Sequence, residues 1–203
     1  RDFPVGSQVN EKQEMMLSHW AFAERKAKGF IGRDEYTRAI DAYAASPLER
    51  GPFVVVGMSG AGKSSMLSSW CHSLKESIHD DSLVQVVVPH FGELAGQELH
   101  KMIHYLIESL EQNGKCCTGE EIPHEPQTII HQLTNWSRAA AHKLNKQSST
   151  EHGKSGKVIV IVLDGLDLLE KNAQTLTWLP EKLPSNIKMI VSCNVGSSIE
   201  KVL

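Results

Sequence analysis

The chain has 203 residues, of which 40% are apolar and 22% are charged, and its net charge at pH 7 is −3. This composition is typical of a globular protein with a buried core, and it argues against intrinsic disorder. The sequence has no clustered positive stripe of the kind that nucleic-acid surfaces need, and no apolar run approaches the roughly 20 residues of a membrane-spanning helix.

Two helices are predicted in the N-terminal quarter of the chain. Apolar residues at helical spacing predict one helix over 7–28 and a second that begins at Arg33 and ends before Pro47. We therefore expect residues 1–50 to form a helical linker and residues 51–203 to form the core domain. The chain is expected to be a piece of a longer protein.

Strands and helices alternate in the rest of the sequence. The predicted strands cover 53–56, 83–88, 158–163 and 187–192, and the predicted helices cover 63–77, 97–112 and 127–145. The third strand is fully apolar, as expected of a parallel strand covered on both faces. This alternation predicts an α/β fold with a doubly wound, mostly parallel sheet that binds ligands at the carboxyl ends of its strands.

A glycine-rich turn joins the first predicted strand to the next helix. Its sequence, GMSGAGKS from Gly57 to Ser64, fits the pattern GxxxxGK[ST] of phosphate-binding loops; the alternative is a Gly/Ser-rich turn that contains a lysine by chance. In such a loop, backbone N–H groups and the positive end of the following helix attract phosphate oxygens. We expect Lys63 to reach the β- and γ-phosphates and the Ser64 hydroxyl to bind Mg²⁺. The predicted nucleotide contacts in this segment are Gly57, Ser59, Gly60, Ala61, Gly62, Lys63, Ser64 and Ser65.

Two acidic residues follow the third predicted strand. Asp164 comes directly after it, at the edge of the sheet where Mg²⁺ bound to phosphates would lie, so it is the expected metal-binding acid. An aspartate that merely opens a turn is the alternative. Asp167 has two possible roles, either orienting or deprotonating an attacking water molecule or capping the next helix.

Five segments carry a family resemblance: FIGRDEY, MSGAGKSSMLSSW, PHF, LDGLD and WLPEKLPSNIKMIVS. Together they resemble the NACHT domain of the STAND class of P-loop NTPases, of the type found in nephrocystin-3 and telomerase protein component 1. The resemblance implies a three-layer P-loop NTPase sandwich of the additional-strand type, preceded by N-terminal helices and cut here before its helical and winged-helix domains. It also implies ATP or ADP with Mg²⁺ as ligands.

The resemblance assigns further site residues. Ile31 and Arg33 match the segment that covers the adenine in this class, although Arg33 could instead begin a helix and face solvent. Ser192 matches the polar position that responds to the γ-phosphate, so Asp167, Lys63 and Ser192 are the predicted catalytic residues. The sequence departs from the pattern just after Ser192, where many relatives carry an arginine and this chain has Cys193-Asn194, and at Leu168, where many have a glutamate. Both departures remove groups that assist hydrolysis, so slow turnover is expected.

Several histidines and cysteines are predicted to be surface or packing residues rather than metal ligands. His100 and His104 lie one helical turn apart but lack a third ligand, and Cys116 and Cys117 lack the spacing of a zinc site. His90 is expected to serve either the chemistry or the structural support of the site.

Three functions remain open at the level of the sequence. The first is an ATP-binding regulatory switch, a weak ATPase whose nucleotide state controls the conformation and assembly of a larger scaffold protein. The second is a nucleotide-binding scaffold with vestigial hydrolysis, and the third is a P-loop kinase. The resemblance further implies a cytoplasmic protein with a ciliary connection. Its partners would be proteins bound through helical or WD repeats elsewhere in the parent chain, together with nucleotide-dependent self-association.

Overall fold

Helices and parallel strands alternate along the residues that this computed structural model describes, which are 11–48, 51–78, 83–95, 98–112, 126–148 and 157–203. The helices are α1 (Glu11–Ala27), α2 (Asp34–Ala45), α3 (Lys63–Ser77), α4 (Gly92–Ala95), α5 (Leu99–Gln112) and α6 (Pro126–Ser148). The strands are β1 (Phe53–Gly57), β2 (Val84–Phe91), β3 (Val158–Asp164) and β4 (Ile187–Asn194). Two 3-10 turns, Leu166–Leu168 and Ala173–Thr175, connect β3 to β4.

The described strands form one four-stranded parallel sheet in the order β1-β4-β3-β2. The last strand in the chain, β4, therefore lies between β1 and β3. Strand pairing places Gly57 beside Asn194 and Phe91 beside Asp164, so the carboxyl ends of the strands meet at one edge of the sheet. Among the described strands β1 pairs only with β4, which leaves its other side as an edge of the sheet.

Side chains of β3 alternate between two hydrophobic clusters, one on each face of the sheet. All seven residues of β3 are buried. Ile159, Ile161 and Leu163 belong to a cluster with α5 and α6, whereas Val160 and Val162 belong to a cluster with α1, α2 and α3. This period of two is the expected consequence of strand geometry, and it explains why the segment is apolar throughout.

The two N-terminal helices contribute to the second of these clusters. Phe22 on α1 and Ile40 on α2 are buried there together with Met66 and Trp70 of α3. The Tyr43 hydroxyl on α2 also donates a hydrogen bond to the carbonyl oxygen of Gly51, at 2.8 Å. Both helices therefore pack on the same face of the sheet as the helix that follows the glycine-rich loop.

Element boundaries differ from the predicted ones mainly at the carboxyl ends of strands. β2 runs three residues further than predicted, to Phe91, and tolerates Pro89 because it is an outer strand of the described sheet. β4 likewise continues to Asn194. The second helix begins at Asp34, since Arg33 has a φ of 65°. Cys116 and Cys117 lie outside the described residues.

No helix in the described part of the chain is long and apolar enough to cross a membrane. The 23-residue α6 instead buries Leu133, Trp136, Ala140 and Leu144, at helical spacing, against the sheet and α5. The hydrophobic face of α6 is thus buried within the domain, against the sheet and α5.

Candidate functional site

The glycine-rich loop between β1 and α3 forms one wall of a cleft of about 310 Å³. Gly60 and Gly62 have φ angles of 74° and 85°, in the left-handed region that favours glycine, so the shape of the loop depends on these residue types. Of the predicted site residues, the cleft brings together Ser59, Gly60, Gly62, Lys63, Ser64, Ser65, Asp164, Asp167 and Ser192. It is also lined by Lys26, Glu93, Gly165, Leu168 and Asn194.

Lys63 is folded back over the loop at the start of α3. Its Nζ atom donates hydrogen bonds to the carbonyl oxygens of Gly57, at 2.8 Å, and Met58, at 3.0 Å. A third hydrogen bond, of 2.8 Å, goes to Oδ1 of Asn194 at the end of β4. The ammonium group thus lies where it can exchange neutral oxygen acceptors for charged phosphate oxygens, which form stronger hydrogen bonds with a cation.

Asp164 at the end of β3 is buried, and the Ser192 hydroxyl donates a 2.5 Å hydrogen bond to its Oδ1. Ser64 lines the same cleft as Asp164. Burial raises the pKa of Asp164 above its usual value, while the hydroxyl groups of Ser192 and Ser64 and the charge of Lys63 act in the opposite direction. A buried carboxylate next to a hydroxyl is a suitable pair of oxygen ligands for Mg²⁺, whose charge would offset the desolvation of the acid.

The structure places Ser192 behind Asp164. It is fully buried, and besides donating to Asp164 its hydroxyl accepts a hydrogen bond of 2.9 Å from the backbone N–H of Gly165. In this arrangement Ser192 fixes the carboxylate and the turn that follows β3.

Asp167 faces Asn194 rather than the end of a helix. It lies inside the first 3-10 turn, whose N-cap is Gly165, so the predicted capping role is not seen. Oδ1 of Asp167 accepts from the backbone N–H of Asn194 at 3.1 Å, and Oδ2 accepts from its Nδ2 at 2.6 Å. Because Asn194 also accepts from Lys63, a continuous hydrogen-bond chain joins Lys63 to Asp167.

Asn194 is not among the site residues predicted from the sequence. A signal for it is present, because Asn194 is two residues beyond Ser192 and therefore points to the same face of an extended strand. The sequence pattern predicts that β4 ends at residue 192, whereas the strand continues to Asn194.

A second pocket, of about 440 Å³, lies between α2 and the open edge of β1. Arg33 lines it, and its guanidinium donates to the carbonyl oxygen of Ala61 and lies against Gly62, so the side chain packs on the glycine-rich loop. Ile31 is 92% exposed and does not line this pocket, whereas Tyr36, one turn into α2, does. The remaining lining residues are Ile40, Phe53, Val54, Val55, Val56, Gly57, Ala61, Lys63 and Met66.

Residues 30–194 match the family model described as nephrocystin 3, N-terminal. The chain belongs to the nephrocystin-3 N-terminal family. The matched range includes the glycine-rich loop, Asp164, Asp167 and Asn194, so the whole hydrogen-bond chain described above lies within the family domain. Of the described elements, α1 falls outside the matched range.

Members of this family found by comparison are much longer than the present chain. Nephrocystin-3 of Mus musculus is 25% identical over 191 residues, and that of Homo sapiens is 26% identical over 190 residues; each alignment covers 92% of this chain and 13% of the relative. A TPR repeat-containing protein of Dictyostelium discoideum is 24% identical over 261 residues, covering 100% of this chain and 15% of the relative. The chain thus spans only 13% to 15% of the length of these relatives.

A solved structure, that of Drosophila ORC bound to DNA, aligns with the nephrocystin-3 family domain at a TM-score of 0.47 and 16% sequence identity. The alignment covers 100% of this chain and 48% of the ORC chain.

His90, His100 and His104 each have a partner within the described part of the chain. His90 lies inside β2, buried against His19 of α1 and Tyr105 of α5, with ring centroids 5.0 Å and 5.8 Å away. His100 pairs with Glu98, and His104 pairs with Glu108. Among the described residues, no group of three or more His, Cys, Asp or Glu side chains could hold a metal ion. A metal in the cleft would therefore depend on Ser64, Asp164 and oxygens of a bound ligand.

Proposed function

We propose that this chain is the nucleotide-binding module of a larger scaffold protein, a NACHT-type P-loop NTPase that binds ATP or ADP with Mg²⁺. The observation that carries the proposal is the meeting of Lys63, Ser64 and Asp164 at one edge of the sheet, next to a glycine-rich loop with two left-handed glycines. The position of β4 between β1 and β3 supports the additional-strand type of P-loop fold. The division of the chain at residue 50, into a helical linker and a core domain, belongs to the same proposal.

In the proposed site each residue has a separate task. Lys63 leaves the carbonyl oxygens of Gly57 and Met58 and binds the β- and γ-phosphates, while Ser64 and Asp164 hold Mg²⁺, which neutralises phosphate charge. Asp167 orients or deprotonates water, and Asn194 fixes the direction of its carboxylate. The pocket flanked by Arg33 and Tyr36 takes the base, and Ile31 stays a proposed base contact although it does not line this pocket.

We propose further that the bound nucleotide acts as a switch and that hydrolysis is slow. The residue after Asp167 is Leu168, which has no acid-base group, and Cys193 and Asn194 follow Ser192 in place of an arginine. We also propose that the switch controls assembly of a larger protein, and that this protein is cytoplasmic and related to the cilium. A scaffold with vestigial hydrolysis is the second candidate, and the absence of an acid-base group at Leu168 favours it.

The binding test compares the wild type with Lys63→Ala by calorimetric titration with Mg-ATP and Mg-ADP. Lys63→Ala is expected to weaken ATP binding about 10- to 100-fold, because a cation that bonds directly to phosphate is lost. Lys101→Ala is the matched control, since Lys101 lies on α5 and pairs with Glu98 away from the cleft. ATP binding by Lys63→Ala at wild-type strength would contradict the phosphate-binding role of the loop.

Phosphate release separates the candidate functions. Asp167→Asn is expected to bind ATP within about threefold of the wild type and to release phosphate roughly 10- to 100-fold more slowly, the usual effect of losing a general base. Hydrolysis by Asp167→Asn at the wild-type rate would contradict the proposal that this carboxylate orients or deprotonates water. Binding without hydrolysis in the wild type would favour the vestigial scaffold, and phosphate on an added acceptor would favour a kinase.

A further inference from the structure

We propose that Lys26 of α1 is a second phosphate-binding cation of the cleft, and that Glu93 of α4 holds it in place while no nucleotide is bound. This proposal rests on the proposed function. It goes beyond the phosphate-binding loop because Lys26 lies outside the range that matches the family model. It also makes α1 a part of the site that responds to the ligand.

Lys26 and Glu93 line the same cleft as the loop residues and the two aspartates. Nζ of Lys26 lies 3.1 Å from Oε2 of Glu93, although the two residues are 67 positions apart in the chain. Apart from Lys63, Lys26 is the only cationic side chain among the described residues that line the cleft. Its charge is therefore placed where the phosphates of a nucleotide would lie.

The position of Lys26 is fixed by the packing of α1. Phe22, one turn earlier on the same face, is buried between α3 and β2, and its ring centroid lies 5.1 Å from Nζ of Lys26. Ala23 is also fully buried. Because two buried residues hold this turn of α1 against α3, the end of the helix presents Lys26 to the cleft without any rearrangement of the backbone.

The position of Glu93 is fixed by a close backbone contact. Gly92 precedes it, and a Cβ atom at Gly92 would lie 3.0 Å from the carbonyl oxygen of Asp164 and 3.1 Å from that of Gly165. Only glycine fits there without a shift, so α4 begins in direct contact with the turn that follows β3. This contact places the carboxylate of Glu93 at the mouth of the cleft.

The charge balance of the cleft explains why Lys26 should exchange partners. Its described lining has three carboxylates, Glu93, Asp164 and Asp167, and two ammonium groups, Lys26 and Lys63. The side chains of Lys26 and Glu93 are 35% and 59% exposed, and ion pairs of this exposure contribute little to stability. A triphosphate offers Lys26 several charged oxygens in place of one carboxylate, so the exchange is favourable and leaves Glu93 unpaired.

The test measures how tightly the chain binds two ligands in the presence of Mg²⁺. One is the triphosphate analogue adenosine 5′-(β,γ-imido)triphosphate, and the other is ADP. Lys26→Met is expected to weaken binding of the triphosphate about 5- to 10-fold and to affect ADP less. Glu93→Gln is expected to tighten triphosphate binding about 2- to 5-fold, because the competing carboxylate is removed. These opposite effects on triphosphate affinity are expected only if Lys26 binds phosphate and Glu93 competes for it. If the two residues formed a purely structural ion pair, both substitutions would change the affinity in the same direction.

Two further variants keep the outcome interpretable. Lys28→Met is the matched control, because Lys28 is 74% exposed, pairs with Glu24 and does not line the cleft. Thermal unfolding without nucleotide should be nearly the same for Lys26→Met and Lys28→Met. Triphosphate binding by Lys26→Met at wild-type strength, together with its loss in Lys63→Ala, would overturn the role of Lys26 and leave the proposed function intact. Absence of nucleotide binding in the wild type would overturn both.

Discussion

The side-chain amide of Asn194 connects two charged groups of the cleft, Lys63 and Asp167. An amide is the neutral group that can accept a hydrogen bond from an ammonium and donate one to a carboxylate at the same time. Asn194 does both, toward Lys63 at 2.8 Å and Asp167 at 2.6 Å. The amide thus links the ammonium group of Lys63 to the carboxylate of Asp167.

We predict that Asn194→Ala separates binding from turnover. Asp167 loses the hydrogen bond that Nδ2 of Asn194 donates to its Oδ2, while the bond from the backbone N–H of residue 194 is kept, so the carboxylate is less firmly directed and kcat for phosphate release should fall about tenfold. Lys63 remains free to bind phosphate, so the Kd for ATP should stay within about threefold of the wild type. Single-turnover kinetics and calorimetry check both values. Wild-type kcat in Asn194→Ala would show that the amide has no positioning role.

At the scale of elements, α1 is joined to the sheet through a pair of buried histidines. His19 is fully buried, and its Nδ1 accepts a hydrogen bond of 3.1 Å from the backbone N–H of Phe91 in β2. Its Nε2 has no hydrogen-bond partner among the described residues. Burial lowers the pKa of His19 to about 3, with a contribution from His90, and burial lowers the pKa of His90 to about 4. Both rings are therefore neutral in the folded chain.

The histidine pair predicts a loss of stability in mild acid. The folded-state pKa values are lowered, so the unfolded chain takes up protons as the pH falls below about 6.5 while the folded chain does not. Stability is thus fully present above pH 6.5 and is lost progressively toward pH 3–4, by about 2–3 kcal/mol between pH 7 and pH 5.5 for the two groups. Urea unfolding at the two pH values measures this loss.

A pair of variants tests the assignment. His90→Phe should roughly halve the pH dependence, because one of the two titrating groups is gone. His72→Gln is the control, since His72 lies on the surface of α3 beside Glu76 and should leave the dependence unchanged. The same pH dependence in His90→Phe as in the wild type would show that the acid sensitivity arises elsewhere.

For the whole molecule, the sheet and its helices could be predicted from the sequence because each buried element leaves a local pattern. The apolar run of β3 and the GxxxxGK[ST] segment fix the middle of the sheet and the start of α3, which begins at Lys63 as predicted. The carboxyl ends of β2 and β4 could not be predicted, because Pro89, His90 and Asn194 are proline or polar and have partners distant in sequence. The contact of Lys26 with Glu93 could not be predicted for the same reason, because nothing in the sequence around either residue indicates the other as its partner.

The global stability of the domain should rise when Asp164 is made neutral. Burial raises the pKa of this acid, so its ionised form at pH 7 opposes folding in the absence of a cation. Asp164→Asn keeps the shape and a hydrogen-bond acceptor for Ser192, and we expect a gain of about 0.5–2 kcal/mol without ligand. Mg-nucleotide should stabilise this variant less than the wild type. Thermal unfolding with and without Mg-ATP checks both effects, and a less stable apo variant would contradict the prediction.

The open edge of β1 has a practical consequence for experiments on the isolated chain. Exposed strand edges pair readily with other chains, and Val56 on β1 is 42% exposed. The same strand forms a wall of the pocket that Arg33 and Tyr36 flank. Two copies that joined edge to edge would therefore cover the proposed base pocket, so nucleotide titrations need to be compared over a range of protein concentrations.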